Sequence, residues 1–217
     1  MTNQEIKSRQ AEIILRAARQ LFARQGYHGT STRELARLAG TSENTLFRHF
    51  ERKEDLFWAA LRSSLGGLEL RLDLLAAIAE DASPEVVLPK LFTQVVDATI
   101  LRPELLRLIA IAFIELPWKA SAVLYEHLSP IVSTVNEYVA KSIEMGKFCN
   151  LNSSIVTTAM IATVIGYPMF APLMADIPYS EDREAIRAYS KFWLEILAPT
   201  GFGPYMKTVQ SVDPTRD

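Results

Sequence analysis

The sequence has little cysteine, little glycine and almost no net charge. Cys149 is the one cysteine among 217 residues. An intramolecular disulfide is therefore excluded, and we expect a cytoplasmic location, where thiols stay reduced. Only 9 glycines interrupt a chain in which 49% of residues are apolar, which predicts a folded protein with a substantial core. Residues 1–10 are polar and lack the apolar segment of a signal peptide.

Motifs that support catalysis are also lacking. No Gly-rich phosphate loop and no metal-spaced cluster of His, Cys, Asp or Glu is found in the sequence. Cys149 has no evident base partner, and the adjacent Glu126 and His127 would diverge on a helix. We therefore expect a protein that is not an enzyme, with no catalytic residue, no bound metal and no cofactor.

One long uncharged segment, residues 151–175, is long enough to span a bilayer. Several Ser, Thr and Asn residues dilute its hydrophobicity, and Pro168 and Pro172 interrupt its second half. A buried helix at a subunit interface explains this segment better than a membrane span, so we expect no membrane association.

The region from Ser31 to Lys53 has the pattern of a helix-turn-helix. Ser31 and Glu34 fit a capping box that begins a helix, and Gly40 fits its end. A second short helix is predicted from Glu43 to about Phe50, with polar and basic residues on its outer side. Insertion of the second helix into the major groove of DNA is the commonest use of this motif.

The stretch from about Ile14 to Leu61 resembles the N-terminal domain of the tetracycline-repressor (TetR) family of bacterial regulators. The resemblance covers roughly a quarter of the chain. The matching residues are Ala17, Ala18, Leu21, Phe22, Gly26, Ser31, Thr32, Leu35, Ala36, Ala39, Gly40, Ser42, Thr45, Leu46, Phe47, His49, Phe50, Lys53, Glu54 and Leu56. It implies a sequence-specific DNA-binding transcriptional regulator.

Three positions depart from the family pattern. Asn44 occupies a position where glycine is frequent, and Phe47 replaces the usual tyrosine. Arg52 lies where serine commonly caps the following helix, so that cap must be weaker or come from elsewhere.

Chemistry and resemblance together predict the residues that contact DNA. Thr32 and Lys53, at helix N-termini, are expected on phosphates, and Arg33 on a guanine edge. Asn44 is the best candidate for reading a base, because asparagine can form two hydrogen bonds with adenine. Glu43 either accepts from a cytosine amine or points away from DNA. The resemblance further implies contacts along the DNA by Ser42, Thr45, Phe47, Arg48 and His49.

The distribution of charge agrees with a DNA-binding head. Residues 1–60 hold ten Lys and Arg against seven Asp and Glu, and the rest of the chain holds 13 against 18. A basic head on an acidic body favours attraction to phosphate in the head.

The remaining residues predict further helices and no strands. A helix from Lys53 to Ala79 with a weak point at Gly66 and Gly67 is followed by helices over 84–101, 103–117, 119–145, 151–167 and 180–198. The apolar composition of 103–117 predicts a central helix. We expect an all-α protein of about nine helices, with a DNA-binding domain over 1–52, a ligand-binding and dimerisation domain over 53–198 and a flexible tail over 199–217.

The resemblance implies a homodimer formed by the last two helices and a small-molecule effector bound in the body. Aromatic and apolar side chains in the body suit an apolar or aromatic effector, although any one of them could equally fill the core. The candidate pocket residues are Phe92, Thr99, Phe113, Trp118, Tyr125, His127, Met160 and Tyr167.

Our main hypothesis is a dimeric repressor that binds a palindromic operator in double-stranded DNA and is released by its effector. One alternative is an activator or a ligand-independent DNA-binding regulator. A more remote alternative is an all-helical enzyme or lipid-binding protein. Regulators would bind DNA selectively and in a salt-dependent manner, whereas an enzyme would turn over a substrate.

Overall fold

The computed structural model describes residues 3–100, 102–170 and 183–199, with side chains described within 8–98, 102–166 and 186–199. These residues form helices and no strand, which confirms the predicted all-α class. None of the described helices is long and apolar enough to cross a membrane. The helices are α1 (Asn3–Gly29), α2 (Thr32–Leu38), α3 (Glu43–His49), α4 (Lys53–Leu65), α5 (Leu72–Ala79), α6 (Pro84–Ile100), α7 (Pro103–Glu115), α8 (Pro117–Glu144), α9 (Ser153–Phe170) and α10 (Arg183–Leu197).

The described residues form ten helices instead of the nine expected, because the helix predicted over 53–79 is two helices. Gly66 ends α4, and Gly67 has a φ of 77° that a helix cannot contain. Arg102 stabilises this break, since its guanidinium donates to the backbone oxygens of Gly66 (3.0 Å) and Gly67 (3.4 Å). The glycine pair, predicted as a weak point within one helix, therefore ends α4 and divides the predicted helix in two.

Helix α1 is longer than the sequence pattern indicates. It begins at Asn3 and continues beyond Gly26 to Gly29, although Gly26 itself is non-helical (φ 77°, ψ 175°). The sequence predicts a first helix from near Arg9 to Gln25 and a loop over residues 27–30, whereas residues 27–29 form a further helical turn after the kink. The Thr30 hydroxyl closes this turn by donating to the Gly26 carbonyl at 2.7 Å.

The chain divides into two compact units, residues 1–69 with 102–129, and residues 70–101 with 130–217. In the first unit, α1 packs on α4 and α7 around buried Phe22, Phe57, Trp58 and Leu108. In the second unit, α6 packs on α5, α9 and α10. These units are defined by how the helices pack, and not by function. The boundary expected at residue 52, between the DNA-binding domain and the ligand-binding domain, therefore stays a prediction. Residues 200–217 of the expected tail lie outside the described part.

Helix α7 is central to the first unit, but it is not buried on nearly every side. Leu105, Leu108 and Ala112 are buried, whereas Phe113 and Ile114 are 50% and 78% exposed. An apolar composition indicates that a helix can be buried. Which side of the helix is buried depends on the helices that pack against it.

Candidate nucleic-acid interface

The helix-turn-helix has the predicted local geometry. Ser31 caps α2 by accepting a hydrogen bond from the Glu34 backbone N–H at 3.2 Å, and Ser42 caps α3 by accepting from Thr45 at 3.1 Å. Leu35 and Leu46 are fully buried beneath the two helices. These caps and apolar contacts fix the start and the inward side of each helix.

The outer side of α3 presents polar and basic groups. Asn44 and Arg48 are exposed, Phe47 is 41% exposed, and His49 is half-buried. On α2, Arg33 is also exposed. Neither Arg33 nor Arg48 forms an ion pair within the described residues, so both guanidiniums are available for phosphates or base edges.

Glu43 points into the motif and contacts Thr32. The Thr32 hydroxyl donates to the Glu43 carboxylate at 2.6 Å, linking the start of α2 to the start of α3. Of the two orientations considered for Glu43, the structure therefore has the one turned toward its own chain. Because the Thr32 hydroxyl proton is bonded to Glu43, the backbone N–H of Thr32 is the group that remains for the expected phosphate contact.

Lys53 is engaged within the chain and does not extend toward solvent. Its Nζ donates to the backbone oxygens of Tyr27 (2.9 Å) and Thr30 (3.0 Å) and lies 4.4 Å from the centre of the Tyr27 ring. Burial lowers the pKa of Lys53, against the opposing effect of the Glu115 carboxylate. In this structure two of the three ammonium donors of Lys53 connect α4 to residues at and just after the end of α1, and its expected phosphate contact stays a prediction.

Two residues at the ends of α7 that sequence reasoning did not assign to DNA binding contact the segments that flank the motif: Arg102, just before α7, and Glu115, its last residue. At one end, Arg102 contacts the end of α4. At the other end, the Glu115 carboxylate accepts from the His28 backbone N–H at 2.8 Å, just before the motif begins. No local pattern could identify these contacts, since His28 and Glu115 are 87 positions apart.

The start of α4 has no side-chain cap, in agreement with the replacement of the family's usual serine by Arg52. Arg52 occupies the N-cap position without a side-chain hydrogen bond to the helix. Acidic Glu54 and Asp55 in the first turn compensate in part, because negative charge is favourable at a helix N-terminus.

The candidate pocket residues are divided between the two units. Phe92 and Met160 lie in the core of the second unit. Phe113, Trp118 and Tyr125 belong to the first unit and are 50%, 69% and 74% exposed, which does not support a place in an enclosed pocket. His127 Nδ1 lies 3.0 Å from the Val123 carbonyl. The side chains of Thr99 and Tyr167 lie outside the described part.

Trp193, which sequence reasoning placed only as an apolar residue of the last helix, brings a polar group into the second core. It is 6% exposed and belongs to the same cluster as Phe92 and Met160. Its indole N–H is buried without a hydrogen-bond partner in the described residues. Such a donor costs about 1–3 kcal/mol when unpaired, so it is a natural position for a ligand acceptor.

Sequence comparison identifies the motif's family. Residues 14–60 match the family described as bacterial regulatory proteins, tetR family. The chain is 42% identical over 62 residues to the transcriptional repressor AcnR of Corynebacterium diphtheriae, a match that covers 29% of this chain and 32% of AcnR. It is 26% identical over 165 residues to the transcriptional regulator RutR of Escherichia coli, covering 76% of each.

Solved structures match the fold over nearly the whole chain. A TetR-family regulator from Mesorhizobium loti has a TM-score of 0.64 at 20% identity, covering 90% of this chain and 96% of that one. AibR, solved with isovaleryl coenzyme A and operator DNA, has a TM-score of 0.63 at 17% identity, covering 88% and 98%. Residues 14–60 thus form a TetR-type helix-turn-helix DNA-binding domain, and the regulator names of the relatives and the shared fold support a TetR-family transcriptional regulator.

Proposed function

We propose that this regulator is a dimeric repressor that occupies a palindromic operator and leaves it when a small effector binds. The observation that carries the DNA-binding part is the outer surface of α3, where exposed Asn44, Phe47 and Arg48 lie on a helix fixed by the Ser42 cap and buried Leu46. A short rigid helix with such a surface fits the major groove.

Each residue of the proposed DNA surface has a role that follows from the hydrogen-bond donors, acceptors, charge or apolar surface of its side chain. Asn44 donates to and accepts from an adenine edge, and Arg33 contacts a guanine or a phosphate. Arg48 and His49 neutralise phosphates or approach bases, and Phe47 supplies apolar contact to a thymine methyl or a sugar. Ser42 and Thr45, joined at 3.0 Å between their hydroxyl oxygens, contact the backbone.

A second subunit would pack on α9 and α10. The outward side of α9 carries no charge and includes Ile155, Thr158 and Ala162, of which Ile155 is 69% exposed. On α10, Phe192 is 51% exposed. Uncharged, partly small side chains permit close helix approach, and two-fold symmetry of the protein would match a palindromic operator.

The effector would bind in the core of the second unit. Phe92 and Met160 suit an apolar or aromatic molecule, and the unpaired indole N–H of Trp193 suits one that also carries a hydrogen-bond acceptor. The AibR structure, which contains both isovaleryl coenzyme A and operator DNA, supports a regulator of this fold that binds a small molecule as well as DNA. An effector releases the operator only if it binds the DNA-free state more tightly.

The experiment that tests DNA binding is fluorescence anisotropy with DNA from the gene's own upstream region. We expect tight binding to one palindrome, and at least a tenfold loss in Arg33→Ala and in Asn44→Ala, because a good base contact contributes about 1–3 kcal/mol. Arg107→Ala, which removes an exposed arginine outside the motif, is the matched control and should leave DNA affinity unchanged.

Competition with unrelated DNA distinguishes selective from general binding. Asn44→Ala should lose affinity for the palindrome and little for unrelated DNA, since non-specific binding depends mainly on phosphates. Equal losses on both would contradict base reading by Asn44. Failure of a folded protein to select any upstream fragment at moderate salt would contradict the proposal for this promoter.

A further inference from the structure

We propose that a groove on the first unit binds a nucleotide that carries two or more phosphates. The groove has a volume of about 450 Å³ and lies where α1, α2 and α7 meet. Its walls include Arg24 from α1, Arg37 from α2 and Arg107 from α7, together with Glu104.

Positive charge exceeds negative charge in this groove. Three guanidiniums face one carboxylate, and all four residues are exposed. Within the part of the chain that the structure describes, none of the three arginines forms an ion pair. Three like charges around one concavity repel each other, and a multivalent anion removes that repulsion.

The donors and the size of the groove favour a nucleotide over a simple ion. Guanidinium groups bind phosphate oxygens in pairs and also stack on planar rings. The volume falls within the range of about 300–1,000 Å³ that small-molecule sites occupy. Leu21 and Leu38 line the same groove, and Leu38 is 45% exposed, so an apolar surface is available for a base beside the phosphates.

The groove shares no residue with the predicted DNA surface, although the two are adjacent. None of its residues is among the proposed DNA contacts, and its Arg37 lies one helical turn beyond the proposed contact Arg33 on the same side of α2. Because the groove includes the end of α2, a bound nucleotide would connect the motif directly to α1 and α7.

Isothermal titration calorimetry of the full chain with ADP at low salt tests the site. We expect saturable binding of one ADP per chain, with adenosine too weak to measure because it lacks the phosphates. Arg24→Gln and Arg107→Gln should each weaken binding at least about threefold by removing one favourable charge. Glu104→Gln should strengthen binding by a similar factor, and this gain cannot arise from misfolding.

Arg48→Gln provides a control with the same loss of charge on the DNA surface. It should weaken DNA binding and leave ADP binding unchanged, whereas Arg107→Gln should do the reverse. The proposal is overturned if ADP does not bind, if the groove variants bind it like the wild type, or if Arg48→Gln is the variant that loses it. The last result would place ADP on the DNA surface.

Discussion

Gly26 is the residue on which the geometry before the helix-turn-helix depends. Its φ of 77° lies in the left-handed region that side chains disfavour, and a Cβ at this position would be 2.5 Å from Glu115 Oε1. The Glu115 carboxylate is close because it accepts from His28 N–H. A side chain at position 26 would therefore be both strained in its backbone and in conflict with this carboxylate.

Gly26→Ala should lower the free energy of unfolding by about 1–2 kcal/mol, the cost of a left-handed alanine, plus the cost of moving Glu115. Urea denaturation measures this loss. In a Glu115→Ala background the steric part disappears, so Gly26→Ala should cost less there. An equal cost in both backgrounds would show that the two residues do not interact in solution.

Two buried tryptophans differ in whether the indole N–H is paired. Trp58 donates to Glu54 Oε1 at 3.0 Å, whereas Trp193 has no partner in the described residues. Trp58→Phe should therefore lose more unfolding free energy than Trp193→Phe, by about 1 kcal/mol, because only the former removes a hydrogen bond. Chemical denaturation of both variants checks this. Equal losses would mean that a partner, such as water, satisfies Trp193.

At the scale of elements, α7 connects the ends of two other helices in the first unit. Arg102, just before α7, donates to the carbonyls of Gly66 and Gly67 that follow α4, and Glu115 at the end of α7 accepts from the last turn of α1. Helices α1 and α4 in turn flank α2 and α3 along the chain. The position of the motif is thus determined by a helix that is distant in sequence.

Arg102→Ala should loosen the end of α4. Two carbonyls lose a charged donor, and we expect faster hydrogen exchange over residues 62–68 and about 1 kcal/mol less stability locally. Arg107→Ala, on the same helix and without an ion pair in the described part of the chain, is the matched control. Unchanged exchange in Arg102→Ala would show that the glycine pair ends α4 without help.

At the scale of the whole molecule, the proposed function requires two subunits, because one recognition helix reads only half of a palindrome. The uncharged outward side of α9 is the surface proposed for the second subunit. Among the side chains of α9 that the structure describes, Ile155 is the most exposed large apolar one, at 69%. A charge at this position would be desolvated in a dimer and harmless in a monomer.

Ile155→Lys should therefore shift the protein from dimer to monomer and weaken binding to a full palindrome at least tenfold, while half-site binding persists. Analytical ultracentrifugation and anisotropy measure the two effects. Leu72→Lys, at an 83% exposed residue of α5, is the control and should remain dimeric. A dimeric Ile155→Lys protein would place the interface elsewhere.

The sequence by itself determined the features that depend on residues close together in the chain. The caps at Ser31 and Ser42, the left-handed Gly40 after α2 and the apolar spacing of Leu35 and Leu46 are local, and all have the expected geometry. The motif, its family and the all-α class follow from such local signals.

Only the tertiary structure decided what the side chains contact. Lys53 binds the end of α1, Glu43 binds Thr32, and Trp118 is exposed although its aromatic ring suggested a pocket. These contacts depend on which segments, distant in sequence, pack together. The spacing of apolar residues within one segment does not specify its packing partner. A sequence pattern thus predicts which residues can contact DNA or a ligand, and the packed neighbours determine which of them remain available.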